Sequence, residues 1–130
     1  MIPWEELGLS EAIDWRGKID LNTVAKLVYA IAKDKGFHNP AFDGNPLKIP
    51  TMIANIHGEC SELMESFRHG TLAQPSEHVP AISQAGEELA DIIIRALDMA
   101  HCLKIDITEA IGRKLYFNSN RPSMHGGKIV

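Results

Sequence analysis

The sequence predicts an all-α fold, a helical bundle of about four helices completed by dimerisation. Three observations lead there. Apolar residues recur at three- and four-residue spacing in four separate stretches, the period of helices with a buried face. Clusters of proline, glycine and asparagine separate these stretches and mark loops. No segment alternates apolar and polar residues as a half-buried strand would, and no internal repeat or low-complexity tract is present.

Taken in order, residues 1–19 are the least regular. Ser10-Glu-Ala-Ile-Asp-Trp15 suits a short helical turn, with Trp4, Leu7 and Trp15 available to pack on the core or a neighbouring subunit. The first helix is expected over Leu21–Lys35, where Leu21, Val24, Leu27, Val28 and Ile31 share a face and Gly36 supplies the stop. Residues 37–50 read as a loop with three prolines. Thr51 then caps a second helix to about Arg68, with Gly70 past its end. Gly58 inside that helix is unfavourable by roughly 1 kcal/mol relative to alanine, which a close helix crossing or backbone approach near the acidic pairs described below would explain. After a loop over 71–82, a third helix is expected over Ser83–Leu103. It is apolar almost all round, through Leu89, Ile92, Ile93, Ile94, Leu97 and Met99, so it should be buried on more than one side, by a partner subunit as well as its own chain. A fourth helix begins at Asp106 or Thr108 and reaches about Asn118, followed by an irregular basic tail over 120–130.

With 130 residues the chain suffices for one domain with a core. Its 45% hydrophobic and 23% charged content is that of a soluble globular protein. A net charge of −4 gives no reason to expect a nucleic-acid polymer as partner. No apolar run is long enough to span a membrane. The N-terminus lacks the basic and apolar regions of a secretion signal, so a cytoplasmic setting is expected. Cys60 and Cys102 lie in apolar helical segments and read as reduced core thiols rather than a disulfide.

Two acidic pairs stand out, Glu59-x-x-Glu62 on the second helix and Glu88-x-x-Asp91 on the third. Residues three apart lie one turn apart on one helix face. Packing the two helices together would converge four carboxylates, which cannot all stay ionised in a partly buried site without a counter-charge. A hard divalent cation with oxygen ligands, Mg²⁺ with Mn²⁺ as a substitute, answers that need. Glu5, Glu6, Glu65, Glu77, Glu87 and Glu109 read as solvated faces, although Glu65 is also placed to assist from one turn away. Asp98, two turns beyond Asp91, either extends the acidic wall or pairs with Arg95 or His101. A di-iron bundle would want Glu-x-x-His on two helices, and none of Glu59, Glu62 or Glu88 has a histidine three residues on. Phosphate-loop and nucleophile-elbow motifs are absent, which leaves metal-activated water rather than a covalent intermediate.

The C-terminal cations supply the other half. Lys114 and Asn118 share a helix face; the first can hold phosphate oxygens and the second can read sugar or base edges. Arg121 offers a bidentate fork for phosphate. The His125-Gly-Gly-Lys128 run is able to close over a bound ligand and bring Lys128 to it.

Together, Glu59-Cys-Ser-Glu62, Glu88-Leu-Ala-Asp91-Ile-Ile, and Lys114-Leu-Tyr-Phe-Asn118 leading into Asn120-Arg-Pro-Ser-Met-His-Gly-Gly-Lys128 resemble the MazG-like all-α nucleoside triphosphate pyrophosphatases. The resemblance covers about residues 50–128. It implies hydrolysis of a nucleoside triphosphate to the monophosphate and pyrophosphate, in a dimer or dimer of dimers. It assigns Mg²⁺ to Glu59, Glu62, Glu88 and Asp91, and orientation or deprotonation of water to Glu59 or Glu62. Lys114 and Arg121 would then stabilise phosphate charge, and Asn118 would contact the nucleoside. Two departures are plain: Gly58 stands where the family often has a second glutamate, and the stretch between Glu62 and Glu88 is long enough to be a lid or an elongated connection. A related phosphohydrolase on another phosphorylated nucleotide, a non-catalytic Mg²⁺-nucleotide-binding dimer and a ligand-free structural oligomer are the rival readings.

Overall fold

The computed structural model describes residues 13–14, 18–39 and 42–122. Four helices dominate it: α1 (Leu21–Asp34), α2 (Lys48–Arg68), α3 (Gln84–Cys102) and α4 (Ile107–Ser119). Ahead of them, β1 (Ile13–Asp14) pairs antiparallel with β2 (Lys18–Ile19), Ile13 opposite Ile19 and Asp14 opposite Lys18. Ile13 and Asp14 therefore do not join the expected helical turn. Two-residue strands are too short to show any alternation in sequence. Trp4, Leu7, Ser10 and Trp15 lie outside the described residues.

Local capping chemistry sets the helix limits. Asp20 caps α1 by accepting the Asn22 N–H, and its other oxygen accepts the Thr23 hydroxyl at 2.6 Å. Gly36, at φ +86°, takes the left-handed turn that ends it. Thr51 is not the cap of α2. The helix starts three residues earlier at Lys48, and the Thr51 N–H already donates to the Leu47 carbonyl at 2.9 Å. Pro50 fits because the first helical turn has no intrahelical acceptor for its missing N–H. Gly70, at φ +69°, follows the other end. Ser83 caps α3 through the Gly86 N–H, and Asp106 caps α4 through the Glu109 N–H.

The loop between α2 and α3 is tied down by its own hydrogen bonds. Ser76 is almost fully buried; its hydroxyl donates to the Glu87 carboxylate and accepts the His78 and Val79 N–H groups. The Thr71 hydroxyl donates to Gln84 at 2.7 Å, and main-chain bonds join Ser76 to Ile82 and Gln84 to Gln74. Glu87 is thus a structural acceptor, not a solvated acid. Ser76 and then His78 hold its carboxyl below the ordinary range.

α3 is the central helix, packed against both α2 and α1. Ser66 of α2 meets Gln84 of α3, while Glu59 meets Arg95, so these two helices run antiparallel. α4 is joined more lightly, chiefly where the Asn22 side chain donates to Asp106 at 2.8 Å and accepts the Ile107 N–H at 3.0 Å. The buried apolar residues among those described are only Ala25, Met52, Leu97 and Ala100. Leu89 is 50% exposed, Ile93 55%, Phe67 65% and Tyr116 75%. A Cβ on Gly58 would meet nothing within 4 Å, so no close crossing within this chain explains that glycine. Cys60 is exposed and Cys102 half-buried, both free; only the second approaches the core role expected of it.

Candidate metal centre

The antiparallel contact of α2 and α3 brings three of the four expected acids together. Oxygens of Glu59, Glu88 and Asp91 all lie within 4.8 Å of one another. Glu62 shares the helix face of Glu59 but is exposed, and adds to the negative field on Glu88 from the edge of the group. Burial first, then repulsion from Asp91, Glu59 and Glu62, pushes the Glu88 carboxyl up. Asp91 is likewise raised, by burial and then by Glu59 and Glu87, against a smaller opposing pull from Arg95. Raised carboxyls on neighbouring side chains mean that their charge is incompletely balanced by the protein.

Arg95 is the one cation in direct contact with this group among the described residues. Its Nε and one terminal nitrogen each lie 3.0 Å from Oε1 of Glu59, leaving Oε2 of Glu59 outside that ion pair. Arg95 is not among the site residues expected from the sequence, although it follows Asp91 by one helical turn and so shares its face. Three oxygen donors of this kind, negatively charged and partly desolvated, suit a hard divalent cation such as Mg²⁺ or Mn²⁺.

Two of the three carboxylates border a cavity of about 840 Å³ between α1, α2 and α3. Glu59, Asp91 and Arg95 stand on its wall, as do Phe37, Phe42 and Asn55. Further along the same wall lies a second polar group that the sequence did not disclose. Asp98 pairs neither with Arg95 nor with His101: Nε2 of His38 meets its two oxygens at 2.8 and 2.9 Å. His38 is 4% exposed and is stacked on Tyr29 with ring centroids 4.6 Å apart. Cys102 Sγ sits 4.0 Å from both ring nitrogens. His38, Asp98 and Cys102 are near enough for a metal, but Nε2 of His38 is already engaged by the two Asp98 oxygens. Burial, followed by the charge of Asp98, also pushes the Cys102 thiol up, away from the thiolate that a metal needs.

The C-terminal cations stand apart. Lys114, Asn118 and Arg121 are exposed on and just beyond α4, line no part of the cavity, and make no hydrogen bond or ion pair with the acids. Lys114 Nζ lies 4.6 Å and Arg121 Cζ 5.9 Å from the Phe117 ring centre. Lys128 lies outside the described residues. Glu65 does not assist the acidic group; it pairs with Arg68 at 2.7 Å and with His69 at 3.9 Å.

Comparison with family models, with curated proteins and with solved structures finds no match to this chain.

Proposed function

We propose that the protein is a Mg²⁺-dependent nucleoside triphosphate pyrophosphohydrolase, converting NTP or dNTP and water to the monophosphate and pyrophosphate. The observation that supports this reading is the under-balanced group Glu59, Glu88 and Asp91, two of whose members line a cavity large enough to admit a nucleotide. Mg²⁺ held there, with Glu62 at the rim, would neutralise the triphosphate and lower the pKa of a water. Glu59 is the chain's own candidate to orient that water. Its Oε2 lies outside the pair with Arg95, and the fork on Oε1 fixes the side chain.

Arg95 balances Glu59 in the unliganded chain and stands beside the position that phosphate oxygens would take. A guanidinium suits those oxygens as well as it suits a carboxylate. Lys114, Asn118 and Arg121 remain candidates for phosphate and nucleoside contacts, together with Lys128. Within one chain Lys114, Asn118 and Arg121 do not meet the acids, so their role in this reading depends on a dimer. The exposed apolar side chains of α3 and α4 support such an assembly, since burying a large aliphatic side chain is favourable by about 1.5–3 kcal/mol.

The test is turnover of a panel of ribo- and deoxynucleoside triphosphates with Mg²⁺, with chelator, and in Glu88→Gln. Hydrolysis lost in both of the latter is expected. Hydrolysis that persists in chelator and in Glu88→Gln would sink the proposal, and absence of turnover would leave a binding role for the same group.

A further inference from the structure

The cavity beside the carboxylates has two polar ends on one helix. Asp91 and Asp98 are seven residues apart on α3, hence two turns and about 10 Å along the axis, and both line the same space. That separation is comparable to the distance from the phosphate of a nucleoside monophosphate to the far edge of its base. Phe37 and Phe42 line the same space and offer apolar surface to a flat ring.

Asp98 is unusually well fixed for a group facing a cavity. Its side chain is 15% exposed and that of its partner His38 is 2% exposed. The near-equal distances of 2.8 and 2.9 Å place Nε2 between the two oxygens. An ionised carboxylate only accepts hydrogen bonds, so Nε2 carries the proton. The outward lone pair on each oxygen is left over. Tyr29 stacked on one ring face keeps His38, and through it Asp98, from turning.

We propose that Asp98, positioned by His38, reads the base and selects nucleotides that carry an exocyclic amino group over those with a carbonyl at the same place. The inference rests on the nucleotide reading of the site. An amino group would donate to the outward lone pair, whereas a carbonyl would set two acceptors against each other. Asn55, also on the wall, can present either its carbonyl or its amino group, so the direction of the preference comes from Asp98. The occupied front of the carboxylate favours a single donor over a two-donor edge such as that of guanine.

The experiment compares kcat/KM for CTP against UTP and for ATP against ITP, pairs in which an exocyclic amino group becomes a carbonyl and the adjacent ring nitrogen changes from acceptor to donor. The wild-type protein should favour the amino member of each pair by on the order of ten- to a hundredfold. In Asp98→Asn, whose amide can turn its donor to a carbonyl, the ratio should collapse or invert. Equal kcat/KM within both pairs in the wild type overturns the inference without reference to any variant. So does an unchanged ratio in a folded Asp98→Asn. Calorimetric binding of CMP against UMP separates this inference from the hydrolase reading. A CMP preference lost in Asp98→Asn, with no turnover of any triphosphate, would sink the hydrolase and keep the base reader. Equal binding of the two would sink the base reader alone.

Discussion

Glu88→Gln should make the protein more stable in the absence of divalent cations, and should remove its response to them. Glu88 has no opposite charge among the groups that perturb it; burial, Asp91, Glu59 and Glu62 all oppose its ionisation. Two unit charges 4.8 Å apart, the outer limit of the group, repel by about 1 kcal/mol in water and by about 3.5 kcal/mol at an effective dielectric of 20. The group is only partly buried, so solvent and salt screening favour the lower figure. Neutralising Glu88 should therefore raise stability by about 1 kcal/mol, or about 4 °C in Tm for a chain this long. The wild type should instead gain from Mg²⁺ or Mn²⁺ by mass action, about 2.7 kcal/mol at a hundredfold excess over Kd. Thermal unfolding followed by circular dichroism, at fixed ionic strength with and without each cation, reads both effects. A Glu88→Gln protein that is less stable than the wild type in chelator, and still gains from Mg²⁺, would refute the reasoning.

Three further outcomes follow from the same geometry. Since Glu88 and Asp91 are both raised in the fold, the native state holds protons that the unfolded chain has lost. Without divalent cations, stability should thus fall as pH rises from the ordinary carboxylate range through the raised one, and Mg²⁺ affinity should rise over the same window; pH-dependent melts and calorimetry check the two signs. Gly58→Ala should stabilise the chain by roughly 1 kcal/mol in denaturant titration, because a Cβ there meets nothing; a loss of stability would place a partner surface against that turn. Ile93→Asp, at a side chain 55% exposed, should leave helical content intact and convert a dimer to monomer in sedimentation analysis, whereas an unchanged mass would remove this face from the interface.

The sequence was most legible where physics is local. The helix limits follow from apolar period and from side-chain caps at Asp20, Ser83 and Asp106. The error at Thr51 arose because a proline normally signals a boundary, while the first turn tolerates one. Glu59, Glu88 and Asp91 are readable because acids at i, i+3 share a helix face and the two faces pack together, while Glu62, one turn past Glu59, stays at the exposed edge. What escaped is long-range. His38 sits in a loop, 60 residues from Asp98, and no periodicity announces that pairing. Ser76 and Glu87 likewise meet only once the loop between α2 and α3 is folded. Side-chain chemistry and the resemblance both join Lys114, Asn118 and Arg121 to the acids, but the light attachment of α4 to α1 leaves them exposed in a single chain.

The position of the broken bond tests the central claim most directly. ³¹P NMR of a triphosphate incubated with the wild-type protein and Mg²⁺ should show a nucleoside monophosphate and pyrophosphate growing in together. Nucleoside diphosphate and inorganic phosphate as the products would contradict it.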